Sequence, residues 1–98
     1  MRTTSQTRQF KKDYKREARG RYASNLDADL LSALGLLAAD HSLPQRYRDH
    51  ELIGSFTDHR ECHLRPDLLL IYIKPDEATL RADAVHPAGA TASAGVTG

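Results

Sequence analysis

Between Leu43 and Tyr72 the segment LPQRYRDHELIGSFTDHRECHLRPDLLLIY concentrates the side chains that could do chemistry. His50, His59 and His63 stand here with the one cysteine, Cys62, and with carboxylates at Asp49, Glu51, Glu61 and Asp67. From His59 to Arg65 the residue character alternates. A strand would therefore turn His59, Glu61, His63 and Arg65 to one face and Arg60, Cys62 and Leu64 to the other. Glu61 and His63 become neighbours on that face, Asp67 lies just across the Pro66-Asp67 turn, and His50 in the preceding loop can close over the same surface. Such a set contains an acid, a base and a charge stabiliser, enough for proton transfer on an anionic substrate such as a nucleic acid. Histidine and glutamate are also common on solvated strands, so the spacing alone does not establish catalysis.

A metal site competes for the same residues, with His59, Cys62, His63 and Asp67 inside nine positions. On a strand, His59 and His63 are separated by about 13 Å at ~3.3 Å per residue, too far to share one ion. Cys62 then points to the opposite face. No metal and no cofactor is expected, and Cys62 reads as a small core residue.

The elements that must position this set follow from periodicity. Arg2 to Ser5 suits a short first strand that pairs later in the sheet. Thr7 or Ser5 can cap a helix from about Arg8 to Gly20, with Phe10, Tyr14 and Ala18 as a narrow apolar stripe and Gly20 as the stop. A second helix is expected after Asn25, with Asp27 and Asp29 in its first turn and Leu30, Leu31, Leu34, Leu37 and Ala38 facing the core. Pro44 forbids its continuation. Glu51 to Gly54 reads as a short extended piece. Leu68 to Lys74 has the unbroken apolar character of a central strand covered on both sides, and Thr79 to about Ala84 that of a weaker last strand. The predicted fold class is α+β: two N-terminal helices packed on a small, twisted, mostly antiparallel sheet. One domain spans 1–86, and the Ala-, Gly-, Thr- and Ser-rich stretch 87–98 is expected to be a disordered tail.

Fourteen Lys and Arg against thirteen Asp and Glu leave a net charge of +1, which conceals a division. Residues 1–22 hold eight basic and two acidic side chains, and residues 23–98 six and eleven. A basic end of this kind suits an anionic partner, although a solvated helix face produces the same pattern. A single cysteine gives no internal disulfide, no apolar run approaches ~20 residues, and the start lacks a signal-peptide core, so a cytoplasmic location without a membrane partner is expected.

Several marks stand in a fixed order: Phe10-Lys11-Lys12-Asp13, Leu43-Pro44, Tyr47-Arg48-Asp49-His50-Glu51-Leu52, Gly54, Arg60-Glu61-Cys62-His63, Pro66-Asp67 and Leu70-Ile71-Tyr72. Together they resemble the RelE/ParE toxin superfamily, and within it the YafQ-like ribosome-dependent mRNA interferases of type II toxin–antitoxin systems. The resemblance covers roughly Arg8 to Leu80. It implies an endoribonuclease that cleaves mRNA in the ribosomal A site without a metal, a cognate antitoxin partner, and contacts to ribosomal RNA. Carried over by motif, His50, His63 and Asp67 match the acid–base residues, and Glu61 sits where an acid is usual. On this expectation His50 and Asp67 transfer protons, His63 orients or stabilises the phosphate, and Glu61 tunes the histidines. RNA contacts are expected from Arg8, Lys11, Lys12, Lys15, Arg16 and Arg19 on the first helix and from Arg60 and Arg65. The departure is at the end of the chain, where the family carries an Arg, then Gly-Ser/Thr-His and a Leu-Phe tail. Here Arg81-Ala82-Asp83-Ala84-Val85-His86-Pro87 places only His86 near the expected catalytic histidine. A last strand poor in core residues and an impaired site would follow, so the alternative function is a degenerate homologue that only binds antitoxin or ribosomal RNA.

Overall fold

The computed structural model describes residues 1–52 and 58–88. In chain order these form β1 (Thr3–Gln6), α1 (Arg8–Glu17), α2 (Leu26–Ala38), a 3-10 turn (Gln45–Tyr47), β2 (His50–Glu51), β3 (Arg60–Arg65), β4 (Leu68–Asp76) and β5 (Thr79–Pro87). The strands lie in one sheet in the order β1-β5-β4-β3-β2. Only the β1–β5 pairing is parallel, so the mixed sheet is mostly antiparallel as predicted. Ile53 and Gly54, and the tail from 89 onward, lie outside the described residues.

Both helices cover one face. Leu68, Leu70 and Tyr72 of β4, Cys62 and Leu64 of β3, and Leu80, Ala82 and Val85 of β5 form the core with Phe10, Leu26, Leu30, Ala33 and Leu37. Leu69 and Ile71 point away from the helices and are buried as well, which explains the unbroken apolar run of β4. Among the described residues no helix is long and apolar enough to cross a membrane.

Thr7 caps α1 as expected, its hydroxyl oxygen accepting the Phe10 N–H at 3.0 Å. The helix ends at Glu17, three residues before Gly20, and its inward stripe is Phe10, Asp13 and Glu17 rather than Phe10, Tyr14 and Ala18. Ala18 is exposed, because two carboxylates have taken the positions against the sheet. Asn25 stands at the start of α2 but makes no side-chain capping bond. The stripe of α2 is Leu26, Leu30, Ala33 and Leu37, which leaves Leu31 a turn aside and 73% exposed, contrary to the expectation for that residue.

Two bulges decide which side chains face where. In β3 the register slips between His63 and Arg65, so Arg65 joins Leu64 on the helix side. It reaches α2, its Nε donating to Asp29 at 2.7 Å, and does not share a face with His63. In β5, Tyr72 pairs with Ala82 and Ile71 with Ala84, which leaves Asp83 unpaired. Uninterrupted alternation from Leu80 and Ala82 would turn His86 into the core and Val85 out. The extra residue reverses this, so Val85 is fully buried among the helices and His86 lies opposite Leu69 on the other face.

β1 stops at Gln6, leaving the outer edge of β5 without a strand beyond Ala82. Side chains of α1 replace it. The Thr7 hydroxyl donates to the Asp83 carbonyl at 2.8 Å, the Val85 N–H donates to Asp13 at 3.2 Å, and Arg16 donates to the Val85 carbonyl at 2.9 Å. The last strand is thus neither weak nor short of core residues. It runs through Pro87, and the Ala88 N–H still donates to the Asp67 carbonyl at 2.7 Å.

At the opposite end Asp40 accepts from Arg2, just before β1, and Lys74 of β4, each at 2.8 Å. The hydrogen bonds from Lys74 and then Arg2 hold its carboxyl down at about 2, from an ordinary 3.8. A folded value below the unfolded one contributes stability above about pH 4, lost as pH falls toward 2. Asp40 has φ +60°, which Asn tolerates. Asp40→Asn is expected to lower the melting temperature at neutral pH, with the gap to the parent closing between about pH 4 and 2. A gap that persists unchanged to pH 2 would assign the effect to something other than this charge.

Candidate active site

The face of the sheet turned away from the helices carries the titratable set. Backbone register places His50 opposite Glu61, Glu61 opposite Ile71, and Ile71 opposite Ala84. The next row on the same face is His63, Leu69 and His86. Glu61 and His63 are neighbours along β3, and His63 and His86 are two strands apart, roughly 10 Å at ~4.8 Å per strand.

His50 and Glu61 are in direct contact, Nε2 to Oε1 at 3.1 Å. The other ring nitrogen, Nδ1, lies 2.6 Å from the Arg48 carbonyl. Arg48 aims that carbonyl from a left-handed conformation, φ +47°, which is uncommon for a residue with a side chain and marks local strain. A neutral imidazole has one N–H, and His50 is flanked by two acceptors. Both contacts are satisfied only when the pair holds a further proton, on His50 or on Glu61. Glu61 is 4% exposed and its Oε2 meets no partner, the single such buried side-chain atom among the described residues. His50 is half exposed and lies on the edge strand, within reach of a ligand.

His63 points Nδ1 at the Pro66 carbonyl, 3.1 Å away, so Nδ1 carries the hydrogen and Nε2 is left as the reactive nitrogen on a half-buried ring. His86 is 4% exposed, with Nδ1 3.1 Å from the Pro87 carbonyl. Asp67 sits in the β3–β4 turn beside Pro66, at the His63–His86 end of the sheet. Its carboxylate, however, is turned to the α1–α2 connection, where it accepts from the Tyr22 hydroxyl and, at 3.2 Å, from Arg21. The Tyr22 hydrogen bond, aided by Arg21, holds the Asp67 carboxyl below the usual range. An acid held ionised in this way is a fixed negative charge rather than a ready proton carrier.

The expected RNA contacts divide. Arg8, Lys11, Lys12 and Lys15 are exposed on α1, and Arg19 is exposed just beyond its end. Arg16 is committed to Asp13, Glu17 and the Val85 carbonyl. Arg60 is on the helix side, where it and the Tyr72 hydroxyl both bond Asp49. Arg65 is held by Asp29, and its guanidinium carbon lies 5.8 Å from the centre of the Tyr22 ring. Tyr22 and Arg21, which aim Asp67, and Asp83, which accepts from Arg81 and contacts His59 Nε2 at 2.7 Å, were missed in the sequence because each contact spans more than twenty residues or depends on the bulge.

β3 is extended from Arg60 to Arg65, with His63 on one face and Cys62 buried on the opposite one. Among the described residues no three His, Cys, Asp or Glu side chains stand close enough to hold one ion. Burial raises the Cys62 thiol to about 12, which makes it a packing group rather than a nucleophile.

The sequence profile of the family described as the bacterial toxin of type II toxin–antitoxin systems, YafQ, matches residues 2–87. A Haemophilus influenzae chain named as a YafQ toxin is 32% identical over 68 residues, 69% of this chain and 67% of that one. A metal-bound toxin from Helicobacter pylori is 38% identical with a TM-score of 0.79, covering 89% of this chain and 94% of its own. Escherichia coli YafQ, solved alone and as a DinJ–YafQ complex, is 31% identical with a TM-score of 0.76, covering 89% of this chain and 93% of its own.

Proposed function

This chain belongs to the YafQ family of bacterial type II toxins, and on that footing we propose that it is a ribosome-dependent endoribonuclease that cuts mRNA in the A site. The observation that carries the reading is the contact between His50 and the buried Glu61, 3.1 Å, beside His63 on the face that no helix covers.

Cleavage of RNA by its own 2′-hydroxyl requires that hydroxyl to lose a proton, the phosphorane to be stabilised and the 5′-oxygen to gain a proton. His63, whose Nε2 is left over from the bond to Pro66, takes the 2′-hydroxyl proton. The 2′-oxygen attacks phosphorus, and the bond to the 5′-oxygen breaks. The proton held between His50 and Glu61 goes to that oxygen, giving a 2′,3′-cyclic phosphate and a 5′-hydroxyl. Asp67, held ionised by Tyr22 and Arg21, leaves the proton-transfer role expected of it to His63. His86 shares the row of His63 and supplies a further imidazole near the phosphate. A toxin domain over 1–86 then acts with the ribosome orienting the mRNA, while a cognate antitoxin, as DinJ is for Escherichia coli YafQ, occupies the free chain.

Purified chain added to ribosomes programmed with a defined mRNA should produce cuts at A-site codons, mapped by primer extension, and none on the same mRNA without ribosomes. His50→Ala should remove the cuts. A parent chain that leaves ribosome-bound mRNA intact would favour the non-catalytic alternative and end the nuclease reading.

A further inference from the structure

Six of the chain's arginines are committed to acids of the same chain: Arg2 to Asp40, Arg16 to Asp13, Arg21 to Asp67, Arg60 to Asp49, Arg65 to Asp29 and Arg81 to Asp83. Arg46 and Arg48 are exposed, and no acidic partner for them occurs among the described residues. They flank Tyr47, which is buried and anchors the 3-10 turn in the core. The Arg46 guanidinium carbon lies 4.8 Å from the centre of the Tyr47 ring, and its Nη2 donates to the Tyr47 hydroxyl at 3.3 Å. A planar guanidinium held by a ring and a hydroxyl in this way is positioned in advance, so little freedom is lost when it meets a ligand.

Both arginines line a cavity of about 520 Å³ between the 3-10 turn, α2 and β3. Its other walls include His63, Arg65 and Asp29. Three arginines against one aspartate, itself paired with Arg65, leave the cavity positive. The link to the chemistry is direct at two points: His63 is a wall of the cavity, and Arg48 supplies the carbonyl that holds His50. Among the described residues no strand pairs with β3 on this side beyond Glu61, since β2 pairs only with Arg60 and Glu61.

We infer that this cavity is the binding channel for single-stranded RNA phosphates flanking the cleaved bond, with Arg46 and Arg48 as its principal contacts. The inference rests on the nuclease reading and names the substrate subsite of that site. It moves the main RNA contact from the exposed lysines of α1 to the 3-10 turn. The reason is distance from the histidines: α1 covers the helix face beside β5, whereas the turn adjoins β3 and His63.

A 2′-O-methyl RNA hexanucleotide, which cannot be cleaved because its 2′-oxygens are blocked, is the probe. Arg48 is replaced by Asn, which accepts its positive φ, and Arg46 by Ala. Arg46→Ala/Arg48→Asn is expected to weaken binding at low salt at least ~10-fold and to reduce the salt slope by about 1.4, at ~0.7 per lost phosphate contact. Lys11→Ala/Lys12→Ala on α1 should change the affinity less than ~3-fold. Melting curves matching the parent confirm that both variants fold. A parent that does not bind the probe at low salt, a turn variant that binds like the parent, or a larger loss from the α1 variant each overturns the channel. Failure of the nuclease reading looks different, because there the parent leaves ribosome-bound mRNA uncut whatever the hexanucleotide does.

Discussion

Glu61→Leu is expected to leave the fold at least as stable as the parent and to lower A-site cleavage by about 100-fold or more. The two halves of this expectation have one cause. Glu61 is buried, one carboxyl oxygen faces His50 and the other meets no partner. A buried polar atom left unmatched costs about 1–3 kcal/mol, and replacing such a group by an apolar one of similar size is commonly neutral or stabilising. What is lost is the acceptor that keeps a proton on the pair. Glu61→Gln tests charge against shape, because its amide can donate to a neutral His50 Nε2 and preserve the contact while no longer sharing a proton. It should lose cleavage nearly as Leu does. His50→Ala and His50→Ala/Glu61→Leu should coincide in cleavage, since residues acting as one unit are not additive. Cleavage at the parent rate in Glu61→Leu would remove this residue from the mechanism. A fall of several degrees in melting temperature would instead make it a support of the fold.

The largest effect on stability is expected from Asp13→Ala. This carboxylate is 3% exposed and accepts from Gln9 at 2.7 Å, Arg16 at 3.0 Å and the Val85 N–H at 3.2 Å. Truncation strands a buried backbone donor on the edge of β5 and removes a charge partner of Arg16. The combined cost is about 3 kcal/mol, out of the ~5–15 kcal/mol that holds a domain of this size. The melting temperature should fall by about 10–20 °C. Asp13→Asn keeps an oxygen for Val85 and should lose distinctly less, separating the backbone contact from the ion pair. A melting temperature for Asp13→Ala within ~3 °C of the parent would show that α1 does not replace the missing strand.

Much of the architecture was legible because it depends on local period and punctuation. Thr7 before Arg8, Pro44 after the leucine-rich stretch, and the apolar run from Leu68 each report a near-neighbour preference that tertiary packing left in place. Leu31 was misassigned because a leucine-rich helix offers several overlapping stripes, and only the sheet selects one. Arg65 and His86 were harder for a different reason. Period-2 reasoning assumes an unbroken ladder, and one extra residue in β3 and another in β5 reverse the faces that follow. On α1, Asp13 and Arg16 read as ordinary members of a charged helix. Nothing in their spacing reveals that β1 ends at Gln6 and leaves a strand edge to be satisfied.

The sequence by itself determined the family, the α+β class, and the histidine and carboxylate types available for chemistry, because these rest on residue identity and on contacts a few positions apart. Only the tertiary structure decided that Glu61 meets His50, that Asp67 answers to Tyr22 and Arg21, and that Arg46 and Arg48 open on the cavity beside His63. Each of those outcomes depends on pairing between distant segments and on which neighbour claims a charge first. Burial and register set that competition, and neither is written in local spacing.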